Sequence, residues 1–208
     1  MYSTLAELCN EFSYYTEAVL GNDGCIYTLP RKIKLDSPIL KFDPINNSLS
    51  QIKDEFMKGL TFCGGLVTTD DGHIYSANEY GQVSEIDITN KKFAVYGIKM
   101  YNGYEHGWGK PAIGADNCIY FLPFDYDQVL KFNPVTKSIL LVGDSYGHVS
   151  FGYDGSYGER GSKWYGAASA SNGFIYGVSH CAKAILQVDA RHINDQVLEL
   201  IDDAFANC

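Results

Sequence analysis

Apolar and polar residues alternate along this chain in short runs that close on Asp, Asn, Gly or Pro. Ile39-Leu-Lys-Phe-Asp-Pro44 is one such run, and its pattern returns at Val83-Ser-Glu-Ile-Asp-Ile88, Val129-Leu-Lys-Phe-Asn-Pro134 and Ile185-Leu-Gln-Val-Asp-Ala190. Alternation with period two predicts half-buried strands. Asp-Pro and Asn-Pro predict a turn after them, because proline has no amide to give a ladder.

A second phrase precedes each run. Its copies are Ala18-Val-Leu-Gly-Asn-Asp-Gly-Cys-Ile-Tyr27, Leu66-Val-Thr-Thr-Asp-Asp-Gly-His-Ile-Tyr75, Ala112-Ile-Gly-Ala-Asp-Asn-Cys-Ile-Tyr120 and Ala168-Ser-Ala-Ser-Asn-Gly-Phe-Ile-Tyr176; the third reads as one residue shorter than the first two. An apolar run, then Asp-Gly, Asp-Asn or Asn-Gly, then Ile-Tyr predicts a hairpin, since these turn residues tolerate positive φ. The first strand of each hairpin is rich in small residues, as in Gly64-Gly-Leu-Val67 and Gly166-Ala-Ala-Ser169, which suits a crowded inner strand. A fourth strand is predicted at 49–52, 93–96, 139–142 and 197–201.

The chain therefore reads as all-β: a β-propeller-type array of four four-stranded antiparallel blades in a single domain over 1–208. The repeats run at about 13–56, 57–98, 99–145 and 146–205. Stacking is required because no single four-stranded sheet buries both faces; an extended stack of sheets is the competing architecture. Residues 3–12 are an extra D-like strand or a short helix. Leu5 to Phe12 matches Leu49 to Phe56 and Leu198 to Phe205, yet Leu5, Leu8, Cys9 and Phe12 also keep helical spacing. Three explanations stay open: a piece of a longer array, two chains joined in a larger ring, or a capping helix.

The run Lys163-Trp-Tyr-Gly-Ala-Ala-Ser-Ala-Ser-Asn-Gly-Phe-Ile-Tyr-Gly177, followed by Ile185-Leu-Gln-Val-Asp189, resembles the repeat of YVTN/NHL-type and streptogramin-lyase-like propellers. That resemblance implies a propeller fold. It does not imply one function, because such repeats carry enzymes and binding scaffolds alike. A lactonase-like member would hold calcium with carboxylates and Asn, and Glu17, Lys110 and Lys163 at the inner-strand ends do not match such a set. A lyase-like member would use a His–Glu pair, for which Glu105-His106 is the adjacent candidate.

The net charge of −9 opposes nucleic-acid binding, which needs a basic stripe; the cluster Arg31-Lys-Ile-Lys34 reads as a solvated loop. No apolar run is long enough for a helical membrane span. Residues 1–12 carry Glu7 and Glu11 and no basic residue, unlike a secretory signal, so an intracellular, cytoplasmic protein with six free thiols is expected. Cys25 and Cys118 occupy equivalent positions and read as buried apolar residues.

The connections at 99–109 and 143–163 are long and rich in Tyr, Gly and Ser, a composition suited to adaptable binding. The expected ligand- or partner-binding residues are Tyr101, Tyr104, His106, Trp108, Tyr146, His148, Tyr153, Tyr157 and His180, with Phe151 on the same rim. His73 and His192 belong to the opposite face. His106, His148 and His180 could converge near Cys181, Asp125, Asp127 or Glu79, but their spacing does not demand it, and neither a metal nor any other cofactor is expected. Trp108 and Trp164, with Phe62 nearby in the second repeat, read first as packing between blades. The expected function is a non-enzymatic interaction or scaffold propeller that binds a protein partner or a carbohydrate-like ligand through its loop face; self-association, or attachment to a larger complex, is expected from the unpaired edge that four blades and an extra D-like strand leave. A lactonase- or lyase-like enzyme, metal-dependent in one form, is the competing reading.

Overall fold

The computed structural model describes residues 15–30, 38–53, 64–78, 80–99, 107–146, 163–180, 182, 184–191 and 198–201. Among them the secondary structure is sixteen strands and turns, with no helix. The first sheet is β1 (Tyr15–Leu20), β2 (Ile26–Pro30), β3 (Ile39–Asp43) and β4 (Ser48–Ile52). The second is β5 (Leu66–Thr68), β6 (Ile74–Ala77), β7 (Val83–Asp87) and β8 (Lys92–Tyr96). The third is β9 (Trp108–Ile113), β10 (Ile119–Pro123), β11 (Val129–Phe132) and β12 (Ile139–Val142). The fourth is β13 (Trp164–Ser169), β14 (Phe174–Ser179), β15 (Ile185–Asp189) and β16 (Leu198–Ile201). Each sheet is an antiparallel meander in chain order, as the repeat predicts. Residues 3–12 lie outside the described residues, as does the cluster at 31–34.

The first hairpins share one register. Val19 pairs with Tyr27, Val67 with Tyr75, Ala112 with Tyr120 and Ala168 with Tyr176. Ala112 is thus the counterpart of Val19, not of Ala18, and the third copy is not shorter than the others. The same turn closes each hairpin. Its amide-to-carbonyl bonds run from Gly24 to Gly21, Gly72 to Thr69, Asn117 to Gly114 and Gly173 to Ala170. The last turn residue has positive φ in every copy: 75° at Gly24, 85° at Gly72, 61° at Asn117 and 85° at Gly173. Asn is among the few side-chain-bearing residues that accept this region readily. The turn after the third strand is capped by the residue that ends the alternating run. Asp43 Oδ1 accepts from the amides of Ile45 (2.9 Å) and Asn46 (3.1 Å), and Asn133 Oδ1 from those of Val135 (2.9 Å) and Thr136 (3.0 Å).

The sheets fall into two compact units, residues 1–78 with 83–95, and 79–82 with 96–208. Within each, the face of one sheet that carries the repeat Tyr packs on the face of the next that carries the repeat Ile. In the first unit Cys25, Tyr27, Leu29 and Ile39 meet Leu66, Ile74 and Ile86. In the second, Ala112, Cys118, Tyr120, Leu122 and Val129 meet Trp164, Ile175, Leu186 and Val188. Contact there is close. A Cβ on Gly177 would lie 2.6 Å from Leu122, the Asp116 amide donates to the Ala190 carbonyl at 3.0 Å, and Ser169 Oγ donates to the Ile113 carbonyl at 2.5 Å. Burial of these apolar faces supplies the driving force for stacking.

Each Tyr face carries a polar group. Tyr27 and Tyr120 donate their hydroxyls to Asp23 (2.7 Å) and Asp116 (2.8 Å) in their own turns. Each carboxylate also pairs with the Lys opposite the Tyr on the third strand: Lys41 at 2.8 Å and Lys131 at 3.1 Å. The Lys131–Asp116 pair is buried, whereas Lys41–Asp23 is partly exposed. The fourth sheet carries neutral counterparts, with Asn172 Nδ2 donating to the Tyr176 hydroxyl at 2.9 Å and Gln187 opposite Tyr176.

Candidate binding site

The ends of the second unit's long connections are tied together by backbone hydrogen bonds. The amides of Asp125 and Tyr126 both donate to the Gly107 carbonyl at 3.0 Å, and the Tyr146 amide donates to the Asp127 carbonyl at 2.7 Å. Lys163, where the chain enters β13, stands at the centre. Its amide donates to the Phe124 carbonyl (2.9 Å), and its carbonyl accepts from the amides of His180 (2.8 Å) and Ala182 (3.4 Å). Its side chain is fully buried, which for an ammonium demands partners. They are the Tyr126 carbonyl at 3.0 Å and Asp127 Oδ1 at 3.1 Å.

This frame holds three rings together at the surface. Phe124 is buried and meets Tyr165 edge-on at 5.6 Å and His180 edge-on at 5.6 Å; Tyr165 and His180 are 6.4 Å apart. Tyr165 and His180 are exposed. The arrangement offers an apolar ring surface, a phenol and an imidazole to solvent. Lys163 is engaged beneath. Among the described residues no three His, Cys, Asp or Glu side chains come together in a way that could hold a metal ion.

The sequence-predicted site residues divide in three ways. His180 is on the platform. Trp108 and Tyr146 are described and buried, so neither ring is presented to a partner. Trp108 Nε1 donates to the Gln128 carbonyl at 2.9 Å, and Trp164 Nε1 repeats this bond to the Ala184 carbonyl at 2.8 Å. Each Trp thus latches the start of a first strand to the residue before the third strand of its own sheet. Tyr146 packs edge-on against Trp164 at 5.4 Å; burial, with the nearby charge of Asp144 adding to it, pushes its hydroxyl up to about 12. Tyr101, Tyr104, His106, His148, Phe151, Tyr153 and Tyr157 lie outside the described residues, as do Glu79, Cys181 and His192. His73 belongs to the second sheet, with Nδ1 2.6 Å from Glu85.

Sequence reasoning missed Phe124 and Tyr165. Tyr165 stands within the phrase Trp164-Tyr165-Gly166, where the Trp drew the attention. The register bulge between Trp164 and Gly166 frees the Tyr side chain from strict alternation, which a period-two pattern does not reveal.

No protein-family model matches the chain, and no curated protein matches its sequence. Solved structures do match its fold. A catalytically inactive variant of virginiamycin B lyase from Staphylococcus aureus, with quinupristin, superposes with a TM-score of 0.68 at 11% identity, over 97% of this chain and 59% of that one. A nidogen/laminin complex chain matches with a TM-score of 0.59 at 10% identity, over 91% and 64% respectively. The fold is that of a β-propeller. An auxiliary nutrient binding protein from Bacteroides thetaiotaomicron also matches, with a TM-score of 0.56 at 12% identity over 89% of this chain and 46% of that one. Against all three, the propeller blades described here span less than two thirds of the matched chain's length. At such identities the likeness is one of fold.

Proposed function

We propose that this chain is a binding propeller that holds a protein partner on the platform of Phe124, Tyr165 and His180. The observation that carries the reading is the pairing of two exposed rings with a buried one on a backbone frame locked through Lys163. Aromatic residues in a fixed setting are favoured interaction anchors, because little side-chain entropy is lost on binding. Lys163 is committed to two acceptors, which supports binding over chemistry. The platform also adjoins Gly107 and Lys163, from which the Tyr-rich connections depart.

The test is the double variant Tyr165→Ser with His180→Ala, compared with wild type by quantitative capture from the source cells, alongside a glycan array. Expected is an unchanged melting temperature, with loss of a protein that wild type retains; truncating an anchor typically costs about 2 kcal/mol or more, roughly thirtyfold in affinity. Identical retention by both proteins overturns the reading. Glycan binding lost in the variant would replace the protein partner with a carbohydrate-like ligand. Conversion of quinupristin to a new chromatographic species would favour the enzyme reading.

A further inference from the structure

The blade interface that this chain makes within each unit has two unused halves. In the first three sheets the position two residues after the repeat Tyr is sealed: Leu29, Ala77 and Leu122 are 0%, 1% and 0% exposed. Val178 holds that position in the fourth sheet and is 62% exposed. Ile185 is only partly buried, while its counterparts Ile39, Val83 and Val129 are fully buried. Among the described residues, the Tyr face of the fourth sheet is therefore left open at Val178 and Ile185.

The opposite deficit occurs on the Ile face of the first sheet. Ile74, Ile119 and Ile175 are buried, but their counterpart Ile26 is not. Ile86, Phe132 and Val188 are buried, but their counterpart Phe42 is not. On the same face Leu20 is 64% exposed and Ala18 is exposed. Leaving large apolar side chains in water at positions built for packing is unfavourable.

We propose that these two faces bind each other between two copies of the chain, the Tyr face of the fourth sheet against the Ile face of the first. The chain itself argues for this occupant. It twice makes a Tyr-face to Ile-face contact, first sheet on second and third on fourth, and the free faces are the missing halves of that same contact. The fourth sheet's Tyr face suits a partner arriving from solution. Around the Tyr hydroxyl its polar group is the neutral set Asn172, Tyr176 and Gln187, which costs less to desolvate than an unpaired Lys or Asp, and the charges at the turn end of this face, Asp189 and Arg191, are paired with each other at 2.7 Å. Each contact joins unlike faces, and two copies that make it in both directions form an isologous two-fold pair.

Sedimentation velocity on the full chain tests this, with Leu20→Asp and Val178→Asp as variants. Wild type is expected to sediment as a dimer or larger species. Each variant loses one of its two faces and with it both contacts that two like copies could make, so neither can pair with itself, and both should run as monomers with an unchanged β-sheet circular dichroism spectrum. An equimolar mixture should recover a heterodimer, since each variant keeps the half that the other lacks. Should an Asp variant fail to fold, Leu20→Ser and Val178→Ser serve in its place. A monomeric wild type at the highest attainable concentration overturns the proposal. So does association that survives both substitutions, or variants that remain monomeric on mixing. The platform variant Tyr165→Ser with His180→Ala should leave the sedimentation unchanged, which keeps this test separate from that of partner capture.

Discussion

Tyr75 donates its hydroxyl to Glu85 at 2.7 Å, from the strand position at which Tyr27 faces Lys41 and Tyr120 faces Lys131. The repeat keeps the buried phenol and inverts the charge beside it. In the first and third sheets the turn Asp and the strand Lys meet at the Tyr hydroxyl. In the second the strand residue is itself the acceptor, and His73 from the turn meets the same carboxylate oxygen, Nδ1 2.6 Å from Glu85 Oε1. One geometric requirement, a partner for a buried phenol, is thus met by different charge sets.

The two Lys–Asp pairs differ in burial, so their removal should have different costs. Lys131→Met leaves the Asp116 carboxylate buried without its cation, still accepting from the Tyr120 hydroxyl (2.8 Å) and the Cys118 amide (3.0 Å), and breaking such a buried pair costs about 3–5 kcal/mol. Lys41→Met removes a pair already screened by solvent, with an expected cost below about 1 kcal/mol. Urea denaturation of both variants checks the contrast. Equal costs would mean that the third sheet's pair is solvated in solution.

Acid should destabilise the chain through its turn carboxylates. At Asp43 the Asn46 side chain and amide, against slight desolvation, hold the carboxyl below the usual range. At Asp87 burial pushes upward, but the bonds from Asn90 outweigh it and the net shift is downward. At Asp23 burial is likewise outweighed, by Lys41 and Tyr27. In each case the folded state releases its proton more readily than the unfolded chain. Their contribution is therefore complete above the unfolded value near pH 4 and is lost as pH falls through the folded values. Asp43→Asn copies the third sheet, where Asn133 caps the same turn, so stability at neutral pH should be kept. Melting temperature measured against pH should show a shallower acid limb in that variant; an unchanged limb would remove Asp43 from the cause.

Trp164 anchors the site from below. Trp164→Phe removes the donor that satisfies the Ala184 carbonyl and should cost about 1–3 kcal/mol for the orphaned acceptor, besides any loss of packing. Since Tyr146 rests on the same indole, the variant should also lower the alkaline titration midpoint of Tyr146, read by ultraviolet absorbance as the difference from Tyr146→Phe. An unshifted midpoint would show that burial of Tyr146 does not depend on the indole.

The fold was legible because the repeat writes the same physical demand four times. Turn Gly or Asn, then Ile-Tyr, then an alternating strand marks each meander, and the observed strands fall within about two residues of those positions. The site was less legible. Trp108 and Tyr146 looked like rim residues by composition and loop position, but a large ring next to glycines can equally well seal a seam. The carbonyls of Gln128 and Ala184, twenty residues away in sequence, decided the matter for the indoles. His180 was found because it follows the second strand of its sheet, on the expected loop face. Phe124 and Tyr165 meet it only through the approach of the third sheet to the fourth, which no single-sequence pattern encodes.

That approach has its own sharp test in two glycines. A Cβ on Gly109 would lie 2.6 Å from the Trp164 carbonyl oxygen and 2.8 Å from that of Tyr165. Both obstacles are backbone, and they belong to the strand that presents the platform. Gly109→Ala must therefore push β9 and β13 apart. Overpacking of this kind costs about 1–3 kcal/mol, and the shift would also move Tyr165 away from Phe124. Gly166 is one residue beyond Tyr165 on β13, and a Cβ there would meet only Val178 at 3.7 Å, an ordinary contact. Gly166→Ala should be tolerated, and by narrowing the unfolded ensemble it should stabilise by about 0.4–1 kcal/mol. Thermal denaturation of the two variants side by side is the measurement. A destabilised Gly166→Ala with an unaffected Gly109→Ala would mean that the inner strands of the third and fourth sheets do not approach at Gly109, and the platform built on that approach would fall with it.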